Sequence, residues 1–173
     1  MKIFLTGLPG SGKSTVLMKV IKLLSERELK VGGVITPEIR SKGERIGFAV
    51  KDVYSGKEGM LASIKQKVGP RLGKYRVNLE NFEEVALPAL DFAIKNCDLI
   101  AIDEIGKLEF FSKNFHQKVY EIVNSNKPLI AVIHRNYIKE FEIFGELIVV
   151  TKENRDKLPN IIFDRIIQSL KLN

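Results

Sequence analysis

The chain has 173 residues, of which 45% are hydrophobic and 28% are charged, and its formal net charge is +7. This length is enough for one hydrophobic core and short for two domains, so we expect residues 1–173 to form a single domain. The basic residues are spread along the chain and favour anionic partners, nucleic acid among them. Every apolar run is shorter than a bilayer span, so no membrane-spanning segment is predicted.

Cysteine use and the N-terminal residues bear on the compartment. Cys97 is the only cysteine, so the chain cannot form an internal disulfide and suits a reducing environment. The N-terminal residues lack the long apolar segment and the small-residue cleavage site of a secretory signal. We therefore expect a cytoplasmic protein in which Cys97 is a buried structural thiol.

The first predicted elements are a strand over residues 2–6, a glycine-rich loop and a helix. Residues 7–14 read GLPGSGKS and fit the spacing G-x-x-x-x-G-K-[ST] of a phosphate-binding loop. Apolar residues then recur at helical spacing from residue 16 to residue 24. Glycines let successive backbone N–H groups point at an anion, and the helix adds its positive N-terminal end. The predicted nucleotide-binding residues here are Gly7, Leu8, Pro9, Gly10, Ser11, Gly12, Lys13, Ser14 and Thr15.

Two side chains of this loop have predicted chemical roles. Lys13 is expected to reach the β- and γ-phosphates of a nucleotide and to act in catalysis. The hydroxyl of Ser14 is expected to ligate Mg²⁺.

The next segments indicate a second strand and an antiparallel addition. Residues 31–36 read as a strand that ends at Pro37, and residues 46–54 and 60–62 flank turn residues as a hairpin would. The basic stretch 68–77, with two glycines and a proline, is expected to be a loop. Arg40 and Arg45 flank the hairpin and could contact a nucleotide or a second substrate, although a solvated or salt-bridged arginine is the more common case.

A long amphipathic helix follows. Asn78 or Asn81 could cap it, and apolar residues between positions 82 and 94 give it a buried face. Pro88 falls inside this pattern, so we expect the helix either to be kinked or to start late.

Residues 97–104, with sequence CDLIAIDE, form the second chemical landmark. The apolar run predicts a strand buried on both faces that delivers Asp103 and Glu104 at its carboxyl end, where α/β sheets bind ligands. In P-loop NTPases this is the Walker B position, at which Asp103 would hold Mg²⁺ and Glu104 would polarise the attacking water. A phosphate-binding loop needs such a metal carboxylate from another strand end.

The remaining elements complete an alternating α/β pattern. Lys107 and Glu109 lie near enough in sequence to Glu104 to be at the edge of the site. Ser112 could cap a helix, residues 129–133 read as a buried strand, and a short helix is expected near residues 136–141. His134, at a strand end, could sense a γ-phosphate, but a structural or exposed role is favoured.

The last segment adds candidate nucleoside contacts. Residues 147–151 are predicted to be the final strand, and residues 158–170 the closing helix. Asn154 and Arg155 lie in the loop between them and have suitable donors for a base or ribose, although an ordinary helix start explains the loop about as well. The whole pattern predicts an α/β, three-layer P-loop NTPase with a mainly parallel sheet and an added antiparallel hairpin.

Taken together, these motifs resemble the small P-loop nucleoside-triphosphatase family that is found in thermophiles and, as the cancer-related nucleoside-triphosphatase, in higher organisms. The specific parts are DEIGKLE at residues 103–109 and NRD at residues 154–156, joined by the phosphate loop and by the segments around Thr36 and Gly73. The resemblance implies a Mg²⁺-dependent hydrolase that accepts ATP, GTP and other nucleoside triphosphates on a RecA-like or AAA-like core. Pro37 and Leu108 depart from the residues usual in the family.

Three functions remain open on the sequence. The first is hydrolysis at the γ-phosphate, with Lys13, Asp103 and Glu104 as catalytic residues, Ser14 and Asp103 as metal ligands, and an arginine among positions 40, 45 and 155 as an added charge. The second is a nucleotide or small-molecule kinase, for which the stretch 65–76 is the candidate lid. The third is a nucleotide-switched module that binds RNA or DNA, suggested by the net charge.

Overall fold

The structure is a computed structural model, and it describes residues 1–171. It contains one mixed sheet with helices on both faces. The strands are β1 (Lys2–Thr6), β2 (Val31–Ile35), β3 (Glu38–Ser41), β4 (Glu44–Asp52), β5 (Glu58–Ser63), β6 (Arg71–Leu72), β7 (Tyr75–Val77), β8 (Leu99–Ile105), β9 (Leu129–Ile133) and β10 (Glu146–Val149). The helices are α1 (Lys13–Ser25), α2 (Leu79–Asn96), α3 (Lys113–Asn124), α4 (Ile138–Phe141) and α5 (Leu158–Lys171).

The core of the sheet is parallel, with the strand order β10, β1, β9, β8, β2. Strand β9 lies between the strand that precedes the glycine-rich loop and the strand that carries the acids. In this register Val132 of β9 pairs with Leu5 of β1 on one side and with Asp103 of β8 on the other. The carboxyl ends of these three strands therefore meet at one edge of the sheet, as the sequence predicted.

Alternate residues of the core strands face two apolar layers. Phe4, Ile100 and Ile102 pack with helices α2 and α3 in one cluster. Ile3 and Leu5 pack with helices α1 and α5 in the other. Strands buried on both faces read as continuous apolar runs, which is why the sequence marks them so clearly. The predicted three-layer α/β fold is confirmed.

The antiparallel addition is larger than the single hairpin that the sequence predicted. Strands β3, β4, β5, β7 and β6 all pair antiparallel, and β4 joins them to β2 of the core. The prediction of a loop over residues 68–77 is wrong, because β6 and β7 form a tight hairpin there around Gly73. Tyr75 and Val77 are buried, and this short alternation was hidden among glycine, proline and basic residues.

Helix α2 shows how packing overrides a local signal. The predicted late start is wrong: the helix begins at Leu79 and continues through Pro88. Its cap is Asn78, whose side-chain oxygen accepts from the backbone N–H of Asn81 at 3.0 Å. Pro88 lies on the exposed side, so water can reach the carbonyl that loses its partner, while the opposite face of the helix is buried.

Two smaller predictions are confirmed. Ser112 caps α3 by accepting the backbone N–H of Phe115 at 3.0 Å. Cys97 is buried, and burial raises the pKa of its thiol. Within residues 1–171, no helix combines the length and the apolar character that a bilayer crossing requires.

Candidate active site

A cleft of about 420 Å³ opens at the carboxyl ends of β1, β8 and β9. It lies between the glycine-rich loop, the acidic end of β8 and the antiparallel addition. Its lining residues are Gly7, Pro9, Gly10, Lys13, Ser14, Thr36, Glu38, Arg45, Phe48, Asp103, Glu104, Leu108, Glu109, Ile133, His134 and Arg135. The two sequence landmarks, the loop and the acids, are thus brought to one cavity.

The loop adopts a backbone that its glycines make possible. Gly7 has φ +147°, and a Cβ there would lie 2.4 Å from the carbonyl oxygen of Val150. The ammonium of Lys13 donates to the carbonyl oxygens of Gly7 at 3.1 Å and Leu8 at 2.9 Å, so it lies across the loop. The hydroxyl of Ser11 is buried and finds no hydrogen-bond partner in residues 1–171, which is costly unless a further group completes its bonding.

Asp103 contacts the start of α1. The hydroxyl of Ser14 lies near enough to its carboxyl group to influence the pKa of that group, and both predicted metal ligands line the cleft. Burial raises the pKa of Asp103, while the Ser14 hydrogen bond and the charge of Lys13 oppose that shift. This carboxyl group therefore sits in a largely dehydrated position beside one cation.

Glu104, the next residue, is half-buried and lines the same cleft. Burial, and then the charge of Asp103, raise the pKa of Glu104 to about 7, and Lys13 acts in the opposite direction. A carboxyl group with a pKa near the working pH is suited to accept a proton from a bound reactant.

Glu109 is more central than the sequence suggested. It lies in a short 3₁₀ turn (Glu109–Phe111) that follows β8, and it is 3% exposed. Its side chain lines the interior of the cleft and not the edge that the sequence predicted. Its Oε1 lies 2.8 Å from the hydroxyl oxygen of Thr36, which follows β2. Burial, and then the charge of Glu104, raise the pKa of Glu109 to about 8. Lys107 is exposed and does not line the cleft.

Arginine and aromatic side chains form the far wall. Arg45 donates to Glu38 at 2.8 Å and to the hydroxyl of Tyr75 at 2.9 Å, and its guanidinium lies 5.0 Å from the ring centroid of Phe48. Arg40 pairs with the same glutamate at 2.9 Å but does not line the cleft. Both arginines are therefore salt-bridged. Arg135, which the sequence reasoning passed over, does line the cleft.

His134 has a structural role in a turn. Its Nδ1 accepts the backbone N–H of Asn136 at 3.2 Å and so caps the 3₁₀ turn Arg135–Tyr137. Burial, and then the charges of Lys107, Arg135 and Lys13, lower the pKa of the imidazole, which is neutral at pH 7. The ring also lines the cleft.

Asn154 and Arg155 do not line this cleft, although Arg155 lines a neighbouring depression together with Lys13 and Ser14. The side chain of Asn154 accepts the N–H of Thr151 at 2.8 Å and donates to the carbonyl of Val149 at 2.9 Å, so both ends of its amide hold the loop. Arg155 packs on the phosphate loop: a Cβ on Gly12 would lie 3.1 Å from its Cδ. Together with Thr15 it lines a separate depression of about 300 Å³.

The candidate kinase lid is not at the cleft. The structure describes all of residues 65–76, and none of them lines the cavity that contains Lys13 and Glu104. That stretch forms the β6–β7 hairpin and the loop before it. Its connection to the cleft is indirect, through the Tyr75 hydroxyl on Arg45.

Magnesium is held by oxygen ligands, and the cleft offers hydroxyl and carboxyl oxygens. No group of three or more His, Cys, Asp or Glu side chains is arranged to hold a metal within the described part of the chain. Magnesium bound with a nucleotide does not need such a group, because it takes one or two protein oxygens, waters and substrate phosphates. The adjacent hydroxyl of Ser14 and carboxylate of Asp103 fit that requirement.

Comparison with known proteins agrees with this geometry. The chain is 43% identical over 172 residues to a protein of Methanocaldococcus jannaschii named nucleoside-triphosphatase THEP1, covering 99% of this chain and 100% of that one. It is 42% identical over 174 residues to the protein of the same name in Thermococcus kodakarensis, covering 99% and 97% of the two chains.

Two solved structures have the same fold. The crystal structure of THEP1 from the hyperthermophile Aquifex aeolicus aligns with a TM-score of 0.83 at 32% identity, over 96% of this chain and 99% of that one. The solution structure of a human cancer-related nucleoside triphosphatase aligns with a TM-score of 0.76 at 34% identity, over 97% of each chain. The family model described as NTPase matches residues 2–163. The chain belongs to this NTPase family of P-loop proteins.

Proposed function

We propose that the protein is a nucleoside-triphosphatase that hydrolyses the γ-phosphate of ATP, GTP and other nucleoside triphosphates with the help of Mg²⁺. The observation that carries the proposal is the meeting of Lys13, at the start of α1, with Asp103 and Glu104 of β8 in one cleft. Phosphoryl transfer needs positive charge on the transferring group and an oriented nucleophile, and this arrangement has groups for both.

Residues of the loop and of β8 have different roles in the proposed reaction. The backbone N–H groups of residues 7–14 and the ammonium of Lys13 hold the β- and γ-phosphates, with Lys13 exchanging its loop carbonyls for phosphate oxygens. Ser14 and Asp103 are the residues that would hold Mg²⁺, which neutralises charge on the phosphates when bound. Glu104 orients the attacking water and accepts its proton.

The nucleoside is assigned to the outer side of the loop. Arg155, which packs on Gly12 beside Thr15, offers a planar cation on which a base can stack. Asn154 shapes this loop through its two bonds to the backbone. A stacking contact does not read the edge of a base, and this supports broad base tolerance.

Among the three arginines considered from the sequence, Arg45 is the one that lines the cleft, and we assign it the added charge near the γ-phosphate. Glu38 and Tyr75 hold its guanidinium in place.

The match of the family model over residues 2–163 supports one NTPase domain for the whole chain. The lone buried cysteine supports a cytoplasmic location.

Hydrolysis without an acceptor tests the proposal. Incubation of the purified protein with each of the five common nucleoside triphosphates and Mg²⁺ should release inorganic phosphate, with kcat/KM values that agree within about tenfold. Chelation of divalent metal should stop the release, because the phosphates then keep their full charge. A kinase would release almost no phosphate until a hydroxyl acceptor is added, and that result would overturn the assignment.

A second proposal concerns nucleic acid as a partner. Residues 38–77 contain ten basic and four acidic side chains, a net charge of +6 within a chain total of +7, so most of the excess positive charge lies on the antiparallel addition. Lys65, Lys67, Arg71 and Lys74 are exposed there, and none of them forms an ion pair within residues 1–171. A phosphate backbone complements such a surface.

Binding of a fluorescent single-stranded RNA, measured by anisotropy over a range of salt concentrations, tests this second proposal. The double variant Lys65→Glu/Lys67→Glu should weaken binding at low salt and reduce the salt dependence. The matched control is Lys113→Glu/Lys139→Glu on helices α3 and α4, which should bind as the parent does. Absence of binding at low salt, or equal loss in both double variants, would refute a site on the antiparallel addition.

A further inference from the structure

The hydroxyl of Thr36 lies between two oxygen atoms. Its Oγ1 is 2.8 Å from the main-chain oxygen of Asp103 and 2.8 Å from Oε1 of Glu109. A hydroxyl group has one proton to donate, and a carbonyl oxygen can only accept. Both contacts are hydrogen bonds at the same time only if Glu109 supplies the second proton. The protonated acid then donates to Thr36, and Thr36 donates to the carbonyl of Asp103.

The surroundings of Glu109 favour this protonated form. None of the ion pairs within residues 1–171 includes Glu109, and a fully buried carboxylate without a cation is costly. The titratable groups that face it are Glu104 and Asp103 on β8 and Tyr137 on the 3₁₀ turn after β9. None of these groups can balance a negative charge on Glu109.

The same contacts tie Glu109 to the two acids of the site. The carbonyl of Asp103 also accepts the backbone N–H of Thr36 at 2.6 Å, so this carbonyl is held twice. A Cβ on Gly106 would lie 2.7 Å from Oε1 of Glu104 and 3.0 Å from Oε2 of Glu109, which shows how closely both carboxyl groups approach this glycine.

We propose that Glu109 is a positioning residue: its protonated carboxyl group and Thr36 together fix the backbone segment that presents Asp103 and Glu104 to the substrate. The proposal rests on the hydrolytic function assigned above. It differs from a role as general base or metal ligand, either of which requires the ionised form.

Activity variants give the first test. Glu109→Ala should lower kcat for ATP hydrolysis about tenfold with little change in KM, because the hydroxyl of Thr36 loses the partner that orients it toward the carbonyl of Asp103. Glu109→Gln should restore most of the lost kcat, since an amide N–H donates to Thr36 as the protonated acid does. If instead Glu109→Gln is as impaired as Glu109→Ala, the ionised carboxylate is the working form and the proposal is wrong.

Thr36 variants keep the test valid if Glu109→Ala does not fold. Thr36→Val, which keeps the shape and removes the hydroxyl, should also lower kcat about tenfold, whereas Thr36→Ser should retain it. The kcat of the parent should fall as the pH rises through about 8, where Glu109 ionises, and this fall should be absent in Glu109→Gln. A pH profile that is the same in both proteins would contradict the proposal.

Thermal unfolding gives a readout that does not need activity. The pKa of Glu109 is raised to about 8 from an ordinary value of 4.5, so between these values the acid is protonated when folded and ionised when unfolded. Stability of the parent therefore falls as pH rises through this window. Glu109→Gln should raise Tm by at least about 3 °C near pH 7.5, with little change near pH 4.5, and the exposed control Glu142→Gln should show neither effect.

The two readouts separate the proposals. A pH-dependent gain in Tm without any phosphate release would leave the protonated Glu109 in place and refute the hydrolytic function. A Tm difference that does not depend on pH would refute the protonated Glu109, whatever the activity.

Discussion

Replacing Glu104 with glutamine should lower kcat for nucleoside-triphosphate hydrolysis by at least ~10²-fold while leaving nucleotide binding nearly intact. The amide keeps the size of the side chain and cannot accept the proton of the attacking water. The parent kcat should also rise as pH increases through about 7, because burial and Asp103 raise the pKa of Glu104 to about 7 and only the ionised form is a base. Phosphate release and titration with a fluorescent nucleotide measure the two quantities.

The control for this variant is Glu142→Gln, an exposed glutamate that does not line the cleft. It should hydrolyse nucleotides at the parent rate and follow the same pH profile. Unchanged turnover in Glu104→Gln would show that another group accepts the proton of the attacking water. Loss of nucleotide affinity together with turnover would instead assign Glu104 to substrate binding.

Replacing Lys13 with alanine should lower kcat/KM by about 10²- to 10³-fold, the usual effect of removing one preorganised donor from a developing negative charge. Unlike Glu104→Gln, this variant should also lose affinity for the triphosphate, because the ammonium contacts the phosphates before and during reaction. The loop carbonyls of Gly7 and Leu8 lose their donor as well, but both can be hydrated at the mouth of the cleft.

Lys22→Ala is a matched control for this change, since Lys22 lies on the same helix and is exposed. Its kcat/KM should equal that of the parent. A comparison of ATP with ADP sharpens the test: the parent should prefer the triphosphate, and Lys13→Ala should lose most of that preference. If Lys13→Ala hydrolyses ATP normally, the cleft is not the site of reaction.

The parallel core could be predicted from the sequence because each of its strands is an apolar run with a chemical signal at its end. Residues 2–6 lead into the glycines, and the run that begins at Leu99 leads into Asp103 and Glu104. These signals are local, and the rule that parallel strands present their carboxyl ends together then places them at one edge. The residues of the loop and of the acidic end of β8, which form one side of the cleft, could therefore be predicted from local sequence patterns.

The walls of the cleft could not be predicted in the same way. The contact between Thr36 and Glu109 joins residues 73 positions apart, and no local pattern links them. The hairpin at Tyr75 is too short for its alternation to stand out from loop composition. Arg135 belongs to no recognisable motif, and it lines the cavity because of the turn that follows β9.

The strand between β1 and β8 acts as a fixed spacer. Neighbouring strands lie about 4.8 Å apart, so two ladder steps from Leu5 through Val132 to Asp103 set a backbone separation of about 10 Å. Backbone hydrogen bonds of the ladder set this separation. Mutations in the antiparallel addition can therefore alter which nucleotides enter while the spacing between the loop and Asp103 is kept, which makes the fold tolerant of changing substrates.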